Sequence, residues 1–320
     1  MSDDNPPRMG FFTDTSVCIG CKACEVACKE WNAIPDDGLS LLGMSYDNTG
    51  MLGADTWRHV AFIEQDKPLG RQNNAVIAMP TGATATHASA EAVHEGLGQK
   101  HGSELGTETG AIRPGPLPGG PMPAPVTPDG RKELRWLMAS DVCKHCTHAA
   151  CLDVCPTGSL LRTEFGTVIV QEDICNGCGY CVPACPYGVI DQRKDDGRVW
   201  KCTMCYDRLT AGQEPACAKA CPTDSIQYGV LDDLRERAAH RVENLHDAGV
   251  LEARLYGADP DDGVGGAGAF FLLLDEPEVY GFPPDPVVTT RDLPRTWKHT
   301  ALAAVGVAAT VAAAFLGARR

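Results

Sequence analysis

Positive charge is scarce in this sequence: 28 Lys and Arg stand against 42 Asp and Glu, a formal charge of −14. A phosphate backbone needs the opposite sign, so nucleic acid is excluded as a partner. Aromatic residues make up only 6%, whereas Gly and Pro number 34 and 23. That balance predicts a loop-rich chain whose core is helped by something besides side-chain packing. The start, MSDDNPPRMGFF, has no basic cluster, no apolar segment and no small-residue cleavage site, which predicts no secretory signal there. Long apolar runs are missing too, with one exception. Thr300 to Ala318 holds no charged residue, follows Trp297, Lys298 and His299, and precedes Arg319 and Arg320. Such a run is long enough to cross a bilayer, and Trp and basic residues suit its interfaces. Its richness in Ala keeps a second reading open, a terminal helix packed within a soluble complex.

What the sequence does have is cysteine, sixteen in four groups of four. The first group (Cys18, Cys21, Cys24, Cys28) and the third (Cys175, Cys178, Cys181, Cys185) have gaps of two, two and three residues. This is the bacterial ferredoxin run, in which three thiolates hold one [4Fe–4S] cube and the fourth crosses to another. Two-residue gaps let a looping backbone aim successive sulfurs at different corners of one cube. The three-residue gap carries the fourth about one helical turn away. The second group (Cys143, Cys146, Cys151, Cys155) and the fourth (Cys202, Cys205, Cys217, Cys221) keep the opening pair and the closing Cys-Pro but lengthen the middle. Four copies of one unit imply two modules of two cubes each. A zinc ribbon separates its Cys pairs by roughly fifteen or more residues. Cysteine at 16 in 320 also falls below the density of a small disulfide scaffold. Neither explains the pattern.

His145 and His148 lie inside group two. With four thiolates supplied for every cube, they are expected to be structural or hydrogen-bonding residues rather than ligands, and no gap suits a Rieske centre. Lys22, Lys144 and Lys201 adjoin cysteines, and Lys219 lies two residues from Cys217 and from Cys221. As held cations they would raise cluster potentials, as solvated lysines they would do nothing, and the sequence favours neither.

Between groups one and two, Asp66 to Lys132 is about 30% Gly and Pro, which predicts a surface insertion with a polyproline-like or disordered tail. Its His87, His94 and His101 read as solvated. Thr56 to Glu64 reads as a strand. Leu231, Leu234, Ala238, Val242 and Leu245 recur at helical spacing, so one buried stripe is expected. Gly263, Gly265 and Gly268 match a dinucleotide fingerprint, but an acidic turn precedes them and a strand, Ala269 to Leu274, follows. The context is wrong for a nucleotide loop, and the match reads as a chance one in a Gly-rich turn.

The group order, the CKHC element at Cys143 to Cys146, the stretch Val199 to Gly229 with its GQEPAC core, the GVGG turn and the Trp-led C-terminal helix together resemble the beta subunit of membrane-bound respiratory formate dehydrogenase. The resemblance covers nearly everything outside 66–130, and the insertion looks longer than that family's loop. It implies an α+β fold of two ferredoxin-like modules, each with two [4Fe–4S] clusters, plus a single C-terminal transmembrane helix. Residues 1–65 with 196–230 would form one module and 133–195 the other. Residues 66–132 would be the insertion, 231–296 a helix, strand and extended docking segment, and 297–320 the membrane span.

By that resemblance four [4Fe–4S] clusters are expected. Cys18, Cys21, Cys24 and Cys221 would hold the first, Cys143, Cys146, Cys151 and Cys185 the second. Cys175, Cys178, Cys181 and Cys155 would hold the third, Cys202, Cys205, Cys217 and Cys28 the fourth. The protein itself would be non-catalytic. It would carry electrons from a molybdopterin-containing catalytic subunit, with molybdenum or tungsten, to a membrane cytochrome b that reduces quinone. The cytoplasmic membrane is the expected location; the family suggests its outer face, while basic residues at both ends of the helix leave the cytoplasmic face open. The same cysteine array also suits a subunit of a membrane hydrogenase or a polysulfide reductase, or a soluble polyferredoxin.

Overall fold

The computed structural model describes residues 7–37, 46–47, 49–65 and 135–317. The expected insertion and its three histidines lie outside the described residues. In chain order the elements begin with β1 (Met9–Asp14), α1 (Ala23–Trp31), β2 (Arg58–Gln65), β3 (Arg135–Val142), α2 (Ala150–Asp153), β4 (Leu160–Arg162) and β5 (Val168–Val170). They continue with α3 (Cys181–Ala184), β6 (Asp191–Gln192), β7 (Val199–Trp200), α4 (Tyr206–Thr210), α5 (Ala216–Lys219) and β8 (Ile226–Val230). The fold closes with α6 (Leu231–Asp247), β9 (Arg254–Tyr256), β10 (Ala269–Leu273) and α7 (Leu293–Gly317).

The main sheet runs β8-β1-β10-β9, with β1 parallel to β10 and antiparallel to β8. Phe11, Phe12, Phe270 and Phe271 are all buried, and Phe12 stacks on Phe270 with centroids 5.3 Å apart. Each such ring contributes about 1.5–3 kcal/mol by leaving water. The predicted stripe of α6 packs here: Leu231, Leu234, Ala238 and Leu245 are buried, and Val242 joins the same core. Strand β10 adopts the extended form expected of its apolar run. Strands β9 and β10 come from the segment after 230, so that segment is part of the sheet that carries group one.

Strand pairing does the positioning of the cysteines. In the β1–β8 ladder Thr13 faces Ile226, so Cys18, just after β1, and Cys221, just before β8, emerge at one end. In the β4–β5 hairpin Leu160 faces Val170, which puts Cys155 beside the group that starts at Cys175. In the β6–β7 hairpin Asp191 faces Trp200, which returns the chain from Cys185 to Cys202. The β2–β3 ladder runs from Gln65↔Arg135 to Arg58↔Val142 and delivers Cys143. The sequence pattern starts β2 at Thr56. The strand itself starts at Arg58, because Thr56 is taken up in a tight bridge with Gly53.

Candidate metal centres

The backbone repeats with the cysteines. In each opening Cys-x-x-Cys the residue before the second Cys is left-handed: Gly20 (φ 64°), His145 (φ 45°), Gly177 (φ 71°) and Met204 (φ 59°). This conformation closes the loop tightly. Glycine adopts it freely, whereas any residue with a Cβ strains to do so. His145 and Met204 are almost wholly buried, so packing holds them there.

The thiols gather in fours. Cys18, Cys21, Cys24 and Cys221 line one pocket. Cys143, Cys146, Cys151 and Cys185 line another, with His145 and Lys201 in its wall. The thiols bearing on Cys181 are those of Cys155, Cys178 and Cys175. Those bearing on Cys28 are Cys202, Cys217 and Cys205. Among the described residues no three Cys, His, Asp or Glu side chains close on one point as a single ion needs. Burial pushes Cys24, Cys151 and Cys202 up to about 12 and Cys28 and Cys146 well above the ordinary thiol value, and neighbouring thiolates add to the rise. Iron must therefore displace these protons and supply the compensating charge itself.

His145 supports the fit from a second side. Its Nδ1 accepts from the Val168 N–H at 3.1 Å, so the ring proton sits on Nε2, which is buried without a partner. Burial, with Lys201 and three arginines nearby, holds the imidazole well below its usual value and hence neutral. A neutral N–H donor beside four thiols suits an acceptor-rich sulfur cluster. The four lysines divide. Lys144 and Lys201 are buried. Lys201 Nζ donates to the carbonyls of Val168 and Cys202. Lys144 Nζ meets Asp141 and lies 4.4 Å from the Phe282 ring centre. Lys22 pairs with Glu25 and Asp47, and Lys219 is exposed beside Glu214.

The GVGG turn, which in sequence has the look of a chance match, grips group two. Its backbone receives the Thr147 N–H on Gly266 O at 3.0 Å and the His148 N–H on Val264 O at 2.8 Å, and the Ala269 N–H returns to Lys144 O at 2.9 Å. No signal within the turn announces this, because the partners are backbone atoms more than a hundred residues away. Arg58 carries no sequence signal either. It is 2% exposed and bonded to a cysteine of group four.

Residues 17–159 and 134–231 each match the 4Fe-4S dicluster domain family. The protein is 34% identical over 315 residues to the iron-sulfur subunit of the nitrate-inducible formate dehydrogenase of Escherichia coli K12, covering 97% of its own length and 84% of that relative's. It belongs to the formate dehydrogenase iron–sulfur subunit family. A second such subunit from that organism, of formate dehydrogenase-O, matches at 34% over 94% of this protein and 79% of its own length. A subunit of the anaerobic dimethyl sulfoxide reductase of E. coli K12 matches at 28% over 72% of this protein and 77% of that one. Like these subunits, this is an electron-transfer protein built on dicluster domains that bind [4Fe–4S] clusters. Among the described residues one helix, Arg295–Leu316, is long and apolar enough to cross a membrane, and it is unburied along its length.

Proposed function

We propose that this protein holds four [4Fe–4S] clusters and relays electrons from a molybdenum or tungsten formate-oxidising subunit to a cytochrome b that reduces quinone in the cytoplasmic membrane. The observation that carries this is the gathering of sixteen thiols into four sets of four. In this reading Cys18, Cys21, Cys24 and Cys221 hold the first cluster; Cys143, Cys146, Cys151 and Cys185 the second; Cys175, Cys178, Cys181 and Cys155 the third; Cys202, Cys205, Cys217 and Cys28 the fourth. Each cluster supplies a one-electron carrier. The polypeptide's part is to space and insulate them.

Proximity of thiols between sets supports an order. Cys24 of the first bears on Cys217 of the fourth, Cys202 of the fourth on Cys143 of the second, and Cys151 of the second on Cys181 of the third. The path is then first, fourth, second, third. Cys21 and Cys178, at its two ends, are exposed. Just before α7, Thr290 Oγ1 donates to Asp153 Oδ2 at 2.6 Å, and Val288 packs against Ala150. The membrane helix thus leaves from the second and third sets, which favours electron exit at the Cys178 end.

The test is anaerobic iron and sulfide analysis with reductive EPR. About sixteen irons per chain are expected, and about four, or zinc in place of iron, sinks the reading. Deleting 297–320 should release an otherwise loaded protein from membranes, measured by fractionation; unchanged membrane binding removes the anchor. The dimethyl sulfoxide reductase relative supports a second choice of catalytic partner. Co-purification separates the two by the oxidation of formate or the reduction of a sulfoxide.

A further inference from the structure

Resting on the reading that the first and fourth sets hold clusters, we propose that Arg58 is a shared buried cation that links those two clusters and raises the potentials of both.

The linkage is continuous. Arg58 Nη2 donates to Cys217 Sγ at 3.2 Å. Its Nη1 donates to Ser140 Oγ and to Ser140 O, each at 3.2 Å. Ser140 Oγ in turn lies 3.2 Å from Cys24 Sγ. One side chain therefore touches a ligand of the fourth set directly and a ligand of the first through one hydroxyl. The β2–β3 ladder fixes both ends, because Ser140 and Arg58 lie on facing strands two rungs apart.

No carboxylate among the described residues forms an ion pair with Arg58. Its side chain is buried, so its charge needs partners close at hand. The Phe11 ring lies 5.0 Å beneath it, adding cation–π attraction. A planar guanidinium stays charged even when buried and presents its donors in a rigid fork that spans two sites, whereas a lysine offers its donors from a single nitrogen. The thiolate sites are what justify so costly a buried charge. When either cluster takes up one electron, its negative charge grows by one unit, and a fixed cation nearby favours that state.

The test is an EPR-monitored anaerobic redox titration of the full-length protein in its complex, with iron counted in each variant. Arg58→Gln should lower two of the four midpoints, each by about 59 mV or more, a tenfold change in the one-electron equilibrium. The other two should stay in place. Arg58→Lys should recover part of the shift. Ser140→Ala removes only the arm to Cys24, so one midpoint alone should fall. Full iron with all four midpoints unmoved in Arg58→Gln, or four equal shifts, overturns the proposal. Should Arg58→Gln lose iron, Ser140→Ala decides: one shifted midpoint supports it and none overturns it. A wild-type protein without four clusters marks failure of the underlying reading instead.

Discussion

Replacing Cys28 by Ala is expected to leave about twelve irons per chain in place of about sixteen, and formate-to-quinone electron flow should drop to background. Cys28 sits on α1, four residues beyond Cys24, yet the thiols around it belong to group four. Asn32 Nδ2 makes the same point from outside, lying 3.8 Å from both Cys28 Sγ and Cys205 Sγ. Loss of this thiol should therefore empty the fourth set and spare the cluster of its own group. Because the proposed order puts the fourth set between the first and the second, the relay would be cut one step from its start. A dye that takes electrons upstream should still be reduced. EPR resolves the matter: disappearance of the first cluster, or retention of all four, contradicts the crossed assignment.

The second large effect is expected at Gly265. Its φ is +74°, and a Cβ built there would come within 2.4 Å of His148 Cδ2 and 2.9 Å of its Nε2. Gly265→Val combines a β-branched residue in left-handed backbone, costing about 1–3 kcal/mol, with overpacking of about 1–3 kcal/mol. A domain stable by about 5–15 kcal/mol loses a large share of its margin. The damage should be local first, because this turn holds the backbone of 144–148. Thermal unfolding should come earlier, and iron of the second set should be lost selectively. A variant with full iron and unchanged melting would show that the turn is not a clamp.

Some of this could be read in the sequence. The spacing of the sixteen cysteines announces the cube chemistry, since few other sites need three thiols within seven residues. The left-handed loop position is legible at Gly20 and Gly177, where glycine marks it. It is hidden at His145 and Met204, where packing enforces the same shape on residues that do not prefer it. The α6 stripe is legible because a half-buried helix repeats its apolar positions locally. Arg58 and the GVGG turn are not, because their partners are far away in the chain. A charged residue opening a strand looks like surface until Cys217 and Ser140 are seen around it. The lysines show the limit most plainly: nearness to a cysteine in sequence goes with burial at Lys144 and Lys201 but with exposure at Lys219.

The β2–β3 ladder has one more consequence. Gln65 and Arg135 face each other on its outermost rung, so everything from 66 to 134 begins and ends at one place, as the turn of a hairpin does. Closure of such a segment costs only about 0.6 kcal/mol more for each doubling of its length. A change in its length thus costs the ladder, and the cysteines that the ladder positions, little. The same rung offers an engineer a graft point, where a tether to an electrode or a fused redox domain could be spliced in.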